Sequence, residues 1–455
     1  KSKGMSRQMN KKILIFLLFV IGGFFFRVSN YYLFPVFGET SDESAWTLLG
    51  SSILQEKVPA SWSYFQAYDN YVYKTGVYDA PIVRPVFDHP PLFSFFPGLA
   101  HTLRANWIES PSAKVIRLPM VIIGAINVGI FWLVAKKFFK ERKWAAITTI
   151  LFMTIPEIVF GSRLVVAENL IVTWILLALL AILYEKKKWS LSLLFWVSVF
   201  SILTKISGIV VPVSICALAV LQKEKKWFKV GFFGAVTGVA VFALYGAFYN
   251  WELFLSVLQA QSTRELGLAT FQNRFFIHPT LVHHLFFDGW KILGLFATFF
   301  ILQKTQKKYR LLQFFSLINI LFIISTAGET TFHGWYDFVL WPSFVLAIGS
   351  LFKEIYEKKL YLLSGLVWIL LLPLLRMVSV FGDYNLSLWG VRGAVSLGFT
   401  PLFFESISFK KTSQRFLVLF FGLLIILNIF VVFSITHTGY WNQAEFFSSN
   451  MPKVR

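Results

Sequence analysis

Apolar stretches separated by short basic clusters run through most of the chain. Many of these stretches approach the ~20 residues that an α-helix needs to cross a hydrocarbon core about 30 Å thick. We therefore predict an all-α polytopic membrane protein with about 13 transmembrane helices. The predicted helices cover approximately residues 12–30, 115–137, 144–163, 168–184, 188–205, 206–222, 228–248, 287–303, 310–327, 335–352, 360–378, 391–408 and 415–436.

The predicted helices divide the chain into six parts. These parts are a cytoplasmic N-terminus with helix 1 (1–30), a large outer loop (31–114), helices 2–7 (115–248), a second outer segment (249–286), helices 8–13 (287–436) and an outer C-terminal tail (437–455).

Both outer regions contain apolar segments that we predict to be interfacial helices. If Pro91–Leu103 crossed the membrane, every later basic cluster would change sides, so we place it in the interface; a transmembrane helix is the alternative. The segment 249–286 mixes Trp251 and Phe271 with polar residues, which is typical of a helix lying at the membrane surface.

The charges give the orientation and exclude some classes of protein. The chain has 43 Lys and Arg against 23 Asp and Glu, a net charge of +20. Seven short stretches hold 27 of the 43 cations, and an excess of Lys and Arg in short loops marks the cytoplasmic side. This pattern predicts a multi-pass plasma-membrane protein with a cytoplasmic N-terminus, not a nucleic-acid-binding protein. A hydrophobic content of 56% excludes an ordinary soluble protein.

The first outer loop begins with two adjacent carboxylates. Asp42 and Glu43 precede the stretch 44–55, whose apolar residues recur at the spacing of an amphipathic helix. Asp42 would therefore stand at a helix N-terminus. It has two interpretations: a helix cap that satisfies free N–H groups, or a general base at the mouth of a cavity.

Metal and nucleotide binding find little support in the sequence. Asp88-His89, His283-His284 and Asp288 supply ligand types that bind divalent metals, but no His pair is spaced i, i+4 and no His-Glu motif is present. We predict no metal site and no obligatory cofactor, with a divalent metal as the alternative. Because the chain has no Gly-rich phosphate loop and no Asp-x-Asp motif, a nucleotide-sugar donor is not expected.

An ordered series of short motifs resembles a known superfamily. The motifs are Asp42-Glu43 after helix 1, His89-Pro90-Pro91-Leu92, Arg117-Leu118-Pro119, Ser162-Arg163 with Glu168, Thr204-Lys205, Phe332-His333-Gly334-Trp335-Tyr336, and Trp341-Pro342. Together with the large first outer loop, they resemble the GT-C glycosyltransferases, most closely the branch of the protein O-mannosyltransferases and the lipid A aminoarabinose transferase.

This resemblance implies a reaction at the outer membrane face. Such enzymes take a sugar from a polyprenyl-phosphate carrier, invert the anomeric centre and pass the sugar to a lipid, glycan or protein acceptor. A carboxylate of the first loop deprotonates the acceptor. Carried over to this chain, the base is Asp42, with Glu43 as the second candidate.

The leaving phosphate requires cations near the outer interface. The candidates are His89, Arg84, Arg163 and Lys205. Arg163 and Lys205 have the alternative of reaching from a helix end to lipid headgroups, and His89 that of a hydrogen-bonded turn residue. The resemblance further implies a substrate pocket containing Asp88, Glu168, His333 and Tyr336. For Glu168 the alternative is helix capping, and for His333 and Tyr336 an interfacial aromatic belt.

Two other functions are compatible with the sequence. A transporter or flippase of polyprenyl-linked lipids would need ionisable residues near the bilayer midplane, whereas the acids here concentrate in the outer loop. A polymerase or ligase of surface polysaccharide would use the same carrier lipids. Glu157, inside an apolar helix, is compatible with an ion pair or with a water-filled cavity.

Overall fold

A computed structural model describes residues 2–38, 40, 42–74, 81–263, 287–326, 334–381, 388–406 and 410–434; within these ranges it describes the side chains from residue 13 onwards, except at 326, 379–381, 388 and 410–412. Short breaks separate many of the α-helices. They are α1 Ser2–Val28, α2 Asp42–Glu56, α3 Phe95–Thr102, α4 Ala113–Ile116, α5 Leu118–Phe139, α6 Arg142–Thr154, α7 Pro156–Gly161, α8 Glu168–Leu183, α9 Trp189–Thr204, α10 Val210–Gln222, α11 Lys225–Tyr249, α12 Trp251–Ser262, α13 Trp290–Leu302, α14 Lys307–Thr326, α15 Trp341–Lys358, α16 Tyr361–Leu371, α17 Pro373–Phe381, α18 Leu388–Leu397, α19 Thr400–Ser406 and α20 Lys410–Ser434.

Three short 3₁₀ turns and three short strands complete the described structure. The turns are Gln66–Tyr71, Ile206–Ile209 and Gly334–Leu340, and the strands are β1 Ser61–Trp62, β2 Val72–Lys74 and β3 Ile82–Val83. The strands pair antiparallel in the order β1-β3-β2, all within the first outer loop.

Apolar helices make the chain a polytopic membrane protein. Within the described residues, six helices are long and apolar enough to cross a membrane: Ala113–Phe139, Lys225–Tyr249, Lys307–Ser325, Gly334–Lys358, Tyr361–Val378 and Ser413–Ser434. Each of the 13 predicted segments contains helix in the structure, several of them broken in two or shorter than a full span. The count of 13 crossings therefore stays a prediction.

The first outer loop folds as a small unit on the ends of the helices. α2 packs against α3, and a cluster of buried side chains including Trp46, Phe87, Phe93 and Met120 joins them to α5. The eight residues of α3 extend only about 12 Å at 1.5 Å per residue, so this helix is too short to cross a membrane. α12 begins at Trp251, whose side chain is largely exposed. Phe271 lies outside the described residues.

Candidate functional site

A cavity of about 420 Å³ brings together four side chains from distant parts of the sequence. His89 comes from the loop between β3 and α3, and Glu168 is the first residue of α8. Lys205 lies in the break after α9, and Tyr336 belongs to the 3₁₀ turn that precedes α15. All four are among the site residues predicted from the sequence.

Lys205 and Glu168 form a buried ion pair in the cavity wall. The Lys205 Nζ donates to Glu168 Oε1 at 2.7 Å, and both side chains are less than 10% exposed. Extended backbone at Lys205 (φ −161°, ψ 147°) ends α9 and leads into the 3₁₀ turn, so the side chain leaves from a break rather than a helix face. The same Nζ lies 4.7 Å from the centre of the Tyr336 ring.

The ammonium of Lys205 has its counter-charge in the wall of the cavity. An opposite charge within about 4 Å favours the ionised form of a lysine, and the Glu168 carboxylate lies 2.7 Å from the Lys205 Nζ. The ion pair therefore stabilises Lys205 as an ammonium.

Asp42 is the first residue of α2 and is half-buried. Its backbone N–H donates to the Thr40 hydroxyl at 3.0 Å, so the start of the helix is anchored by a neighbouring side chain. One turn further along α2, Trp46 stacks on the His89 ring with centroids 4.5 Å apart and planes 17° from parallel. α2 therefore positions both Asp42 and His89.

Asp88 is held within the outer loop. Its Oδ2 accepts a hydrogen bond from Ser63 and its Oδ1 one from Tyr68, both at 2.8 Å. Burial, and then the charge of Asp88, raise the pKa of Tyr68, which keeps this hydroxyl protonated as a donor. The Asp88 carbonyl accepts a 2.6 Å hydrogen bond from Gln261 on α12. Asp88 does not line the cavity; these bonds fix the backbone that carries His89.

Glu43 lies in the protein interior, which corrects its assignment as a second candidate base. Its carboxylate is fully buried, and its two oxygens accept separate 2.7 Å hydrogen bonds from Nε and Nη2 of Arg117. The backbone N–H of Val165 adds a third at 3.1 Å. A carboxylate bound in this way has no access to an acceptor hydroxyl.

Arg163 is also buried, which corrects its assignment to the donor phosphate. Its guanidinium is 0% exposed and donates to the backbone carbonyls of Arg27, Phe34 and Phe26 at 3.0–3.1 Å. These bonds join α1 and the following turn to the end of α7. Because every guanidinium nitrogen is used in this way, Arg163 is a structural residue and does not reach the cavity.

Arg84 pairs with Glu56 at 2.6 Å, and the two side chains are about 30% exposed. It does not line the cavity, so the structure does not place it with the other candidate phosphate ligands. His333, the remaining predicted site residue, lies outside the described residues, as do His283 and His284. Among the described His, Cys, Asp and Glu residues, no group of three or more is arranged to hold a metal ion.

The structure also shows buried charges that the sequence did not bring together. Lys291 on α13 donates to Asp337, the residue after Tyr336, at 2.8 Å, and both side chains are almost fully buried. Asp288 accepts from the backbone N–H of Trp290 at 2.9 Å and from that of Glu157 at 3.3 Å. Their positions inside apolar stretches mark such residues in a sequence, but only the fold shows how they pair.

Apolar side chains also line the cavity. Ile206 and Ile209 belong to the 3₁₀ turn before α10, Val210 is the first residue of α10, and Phe322 and Ile323 come from α14. The cavity is therefore amphiphilic, with Lys205, Glu168, His89 and Tyr336 on its polar side.

Comparison with known proteins gives one family match and several structural matches. Residues 88–251 match the family model described as dolichyl-phosphate-mannose-protein mannosyltransferase. No curated protein matches the chain by sequence.

The structural matches cover nearly the whole chain. ArnT from Cupriavidus metallidurans bound to undecaprenyl phosphate superposes with a TM-score of 0.53 and 13% identity, over 97% of this chain and 81% of ArnT. Its apo state gives 0.51 and 13%, over 94% and 77%. The Archaeoglobus fulgidus oligosaccharyltransferase tethered with an acceptor peptide gives 0.50 and 10%, over 97% of this chain and 58% of that enzyme.

Proposed function

We propose that this chain, a membrane protein with the GT-C fold, is a glycosyltransferase that takes its sugar from a polyprenyl-phosphate carrier. The observation that carries the proposal is the amphiphilic cavity with the buried, ion-paired Lys205 in its lining. A polyprenyl-phosphate sugar is itself amphiphilic: its sugar and phosphate need polar partners and its isoprenoid chain needs an apolar surface. ArnT, which has a similar fold, was crystallised with undecaprenyl phosphate.

Lys205 is the proposed main ligand of the donor phosphate. An ammonium has three N–H donors, of which the Glu168 bond uses one. The remaining donors can bind phosphate oxygens while Glu168 keeps the side chain in place. His89, held flat against Trp46, is the proposed second ligand.

Glu168 and Tyr336 form the proposed substrate pocket around Lys205. They pack against the ammonium from two sides, Glu168 by an ion pair and Tyr336 by its ring face. Asp88 contributes indirectly, through the loop that carries His89.

Asp42 is the proposed catalytic base. Its carboxylate takes the proton of an acceptor hydroxyl as that oxygen attacks the anomeric carbon of the donor. The bond from this carbon to the phosphate oxygen breaks, and the polyprenyl phosphate leaves with the electron pair. Attack opposite the leaving group inverts the anomeric centre. Cations close to the departing phosphate stabilise the negative charge that develops on it.

The acceptor in this proposal is a lipid, a surface glycan or a protein at the outer face of the plasma membrane. The donor sugar is a hexose or a pentose. The basic clusters, which an excess of Lys and Arg in short loops assigns to the cytoplasmic side, support this outward orientation.

A flippase or transporter of polyprenyl-linked lipids is the second candidate. The buried charges Lys291, Asp337 and Asp288 lie inside apolar stretches, as ionisable residues of transporters do. A glycosyltransferase accounts better for the cavity, because two of the predicted phosphate ligands, His89 and Lys205, both line it. A polysaccharide polymerase or ligase would use the same donor site with a long acceptor groove.

Sugar transfer by the purified full chain tests the proposal. The protein in detergent with native lipid extract is supplied with a panel of radiolabelled polyprenyl-phosphate sugars, beside Asp42→Asn. Label that moves to an acceptor with the wild type and not with the variant supports a glycosyltransferase with Asp42 as base. Absence of transfer, together with carrier crossing vesicles that contain the protein, would replace the proposal with the flippase.

A further inference from the structure

The Lys291–Asp337 ion pair lies behind the cavity wall and takes no part in the proposed chemistry. Neither residue lines the cavity, and their side chains are 2% and 0% exposed. Removing two charges from water is costly, and such a pair often contributes little to net stability. Its contribution can instead be conformational, since it favours the one arrangement in which both charges have their partner.

Lys291 lies in the first turn of α13, which the Asp288 side chain holds in place through hydrogen bonds. Asp288 accepts a hydrogen bond from the backbone N–H of Trp290 in the first turn of α13. Its second oxygen accepts from the backbone N–H of Glu157 at the start of α7. Lys291, one residue after Trp290, is thereby fixed relative to two helices.

Asp337 connects Lys291 to the lining of the cavity. It belongs to the 3₁₀ turn Gly334–Leu340, whose Tyr336 and Val339 line the cavity. The Tyr336 ring in turn covers the Lys205 ammonium at 4.7 Å. The chain of contacts therefore runs from α7 and α13 through the ion pair to the proposed phosphate ligand.

We propose that Lys291 and Asp337 are positioning residues that hold Tyr336 against Lys205 and thereby set the affinity for the polyprenyl-phosphate carrier. They do not touch the carrier. This inference rests on the proposed function, because it takes the carrier as the ligand of the cavity.

Binding of undecaprenyl phosphate to the purified full chain is the first measurement. The double variant Lys291→Met/Asp337→Asn removes both charges and leaves neither unpaired. We expect its Kd to rise roughly 2- to 150-fold, the range of coupling between contacting residues, with its unfolding temperature close to wild type. If this variant does not fold, Asp337→Glu, which keeps both charges but displaces the carboxylate, takes its place with the same expected direction.

A cycle through Tyr336 separates positioning from a general structural effect. Tyr336→Leu removes the ring that the pair is proposed to hold. In that background, the double variant should cause no further loss of carrier affinity. Equal losses in the presence and absence of the ring would overturn the inference, because they would show that the pair acts independently of Tyr336.

A second ion pair, between Lys304 after α13 and Glu354 of α15, provides the control. Lys304 and Glu354 pair at 2.6 Å and do not line the cavity. Lys304→Met/Glu354→Gln should leave the carrier Kd unchanged. If the wild type binds the carrier and Lys291→Met/Asp337→Asn binds it with the same Kd, this inference alone is overturned. If the wild type does not bind the carrier, the inference and the proposed function are both overturned.

Discussion

At the scale of single residues, Asp42 and Glu43 show how the fold separates two adjacent carboxylates. Successive residues of an α-helix point about 100° apart, so α2 buries one acid in the core and leaves the other half-buried. Glu43 binds the buried Arg117, whereas Asp42 stays half-buried at the start of the helix. The two acids therefore have different expected mutational effects.

Replacing Asp42 with Asn should abolish sugar transfer and leave carrier binding largely intact. The substitution removes the proposed base but none of the cationic contacts to phosphate. Transfer assays and undecaprenyl phosphate binding on the same preparation would check this. Retained turnover in Asp42→Asn would exclude Asp42 as the base.

Glu43→Gln should act on stability instead. It leaves the guanidinium of Arg117 buried without a counter-charge, and breaking a buried pair costs about 3–5 kcal/mol. Unfolding monitored in detergent should show this loss, with Asp42→Asn as the stable control. Unchanged stability together with lost transfer would return Glu43 to the list of candidate bases.

Lys205→Ala and Arg163→Ala should also differ. Loss of Lys205 should weaken carrier binding by roughly tenfold or more, since hydrogen bonds to charged groups contribute about 1.5–3 kcal/mol, and acceptor affinity should change less. Loss of Arg163 removes three hydrogen bonds to backbone carbonyls and should lower stability. Carrier Kd, acceptor KM and unfolding temperature distinguish the two. Equal effects of Lys205→Ala on carrier and acceptor would argue against a phosphate contact.

At the scale of elements, the site depends on the direct contact between α2 and α3. A Cβ added to Gly50 would lie 1.9 Å from the Ser94 carbonyl oxygen, and one added to Gly98 would lie 2.5 Å from the Gly50 carbonyl carbon. The two backbones therefore touch, and only glycine permits this approach. α2 carries Asp42 and Trp46, so this contact sets their distance from the cavity.

Gly50→Ala should disturb both folding and activity. The added methyl group meets backbone, which cannot rotate away, so α2 must move from α3 at a cost of about 1–3 kcal/mol. The displacement should reduce transfer in the fraction that still folds. Gly422→Ala is the matched control, because a Cβ there meets nothing within 4 Å. Wild-type stability and activity in Gly50→Ala would contradict the described contact.

At the scale of the whole molecule, short connections between helices and the first outer loop carry different charges. Basic clusters occupy short connections such as that between α5 and α6, where Lys353 of α15 pairs with Glu141. The first outer loop carries the carboxylates, two of which hold Arg84 and Arg117. The predicted orientation places the first side in the cytoplasm and the second outside.

Cysteine labelling of intact cells tests this orientation. The only cysteine is Cys216, so Cys216→Ser gives a background without thiols. Lys74→Cys in the outer loop and Lys187→Cys in a basic cluster are both at exposed positions. A membrane-impermeant maleimide should label the first in intact cells and the second only after permeabilisation. The reverse pattern would invert the predicted topology.

Much of the architecture could be predicted from the order of residues alone. Apolar length and the positions of Lys and Arg are local properties, and they determined the membrane class and the approximate helices. The amphipathic pattern after Asp42 predicted α2, and the short apolar segment after Pro91 predicted the short helix α3. Among the candidate site residues, the sequence indicates His89, Glu168, Lys205 and Tyr336, and the fold brings these four together in one cavity.

Only the tertiary structure decided which of the charged residues lie in contact with one another. Glu43 adjoins Asp42 in the sequence, and Arg163 is a candidate phosphate ligand like Lys205. Packing nevertheless buries Glu43 against Arg117 and Arg163 against backbone carbonyls. Lys291 and Asp337 are 46 residues apart, and no local pattern indicates that they pair. A sequence records which residues carry charge, but the free energy of each charge depends on the partners and the burial that long-range packing provides.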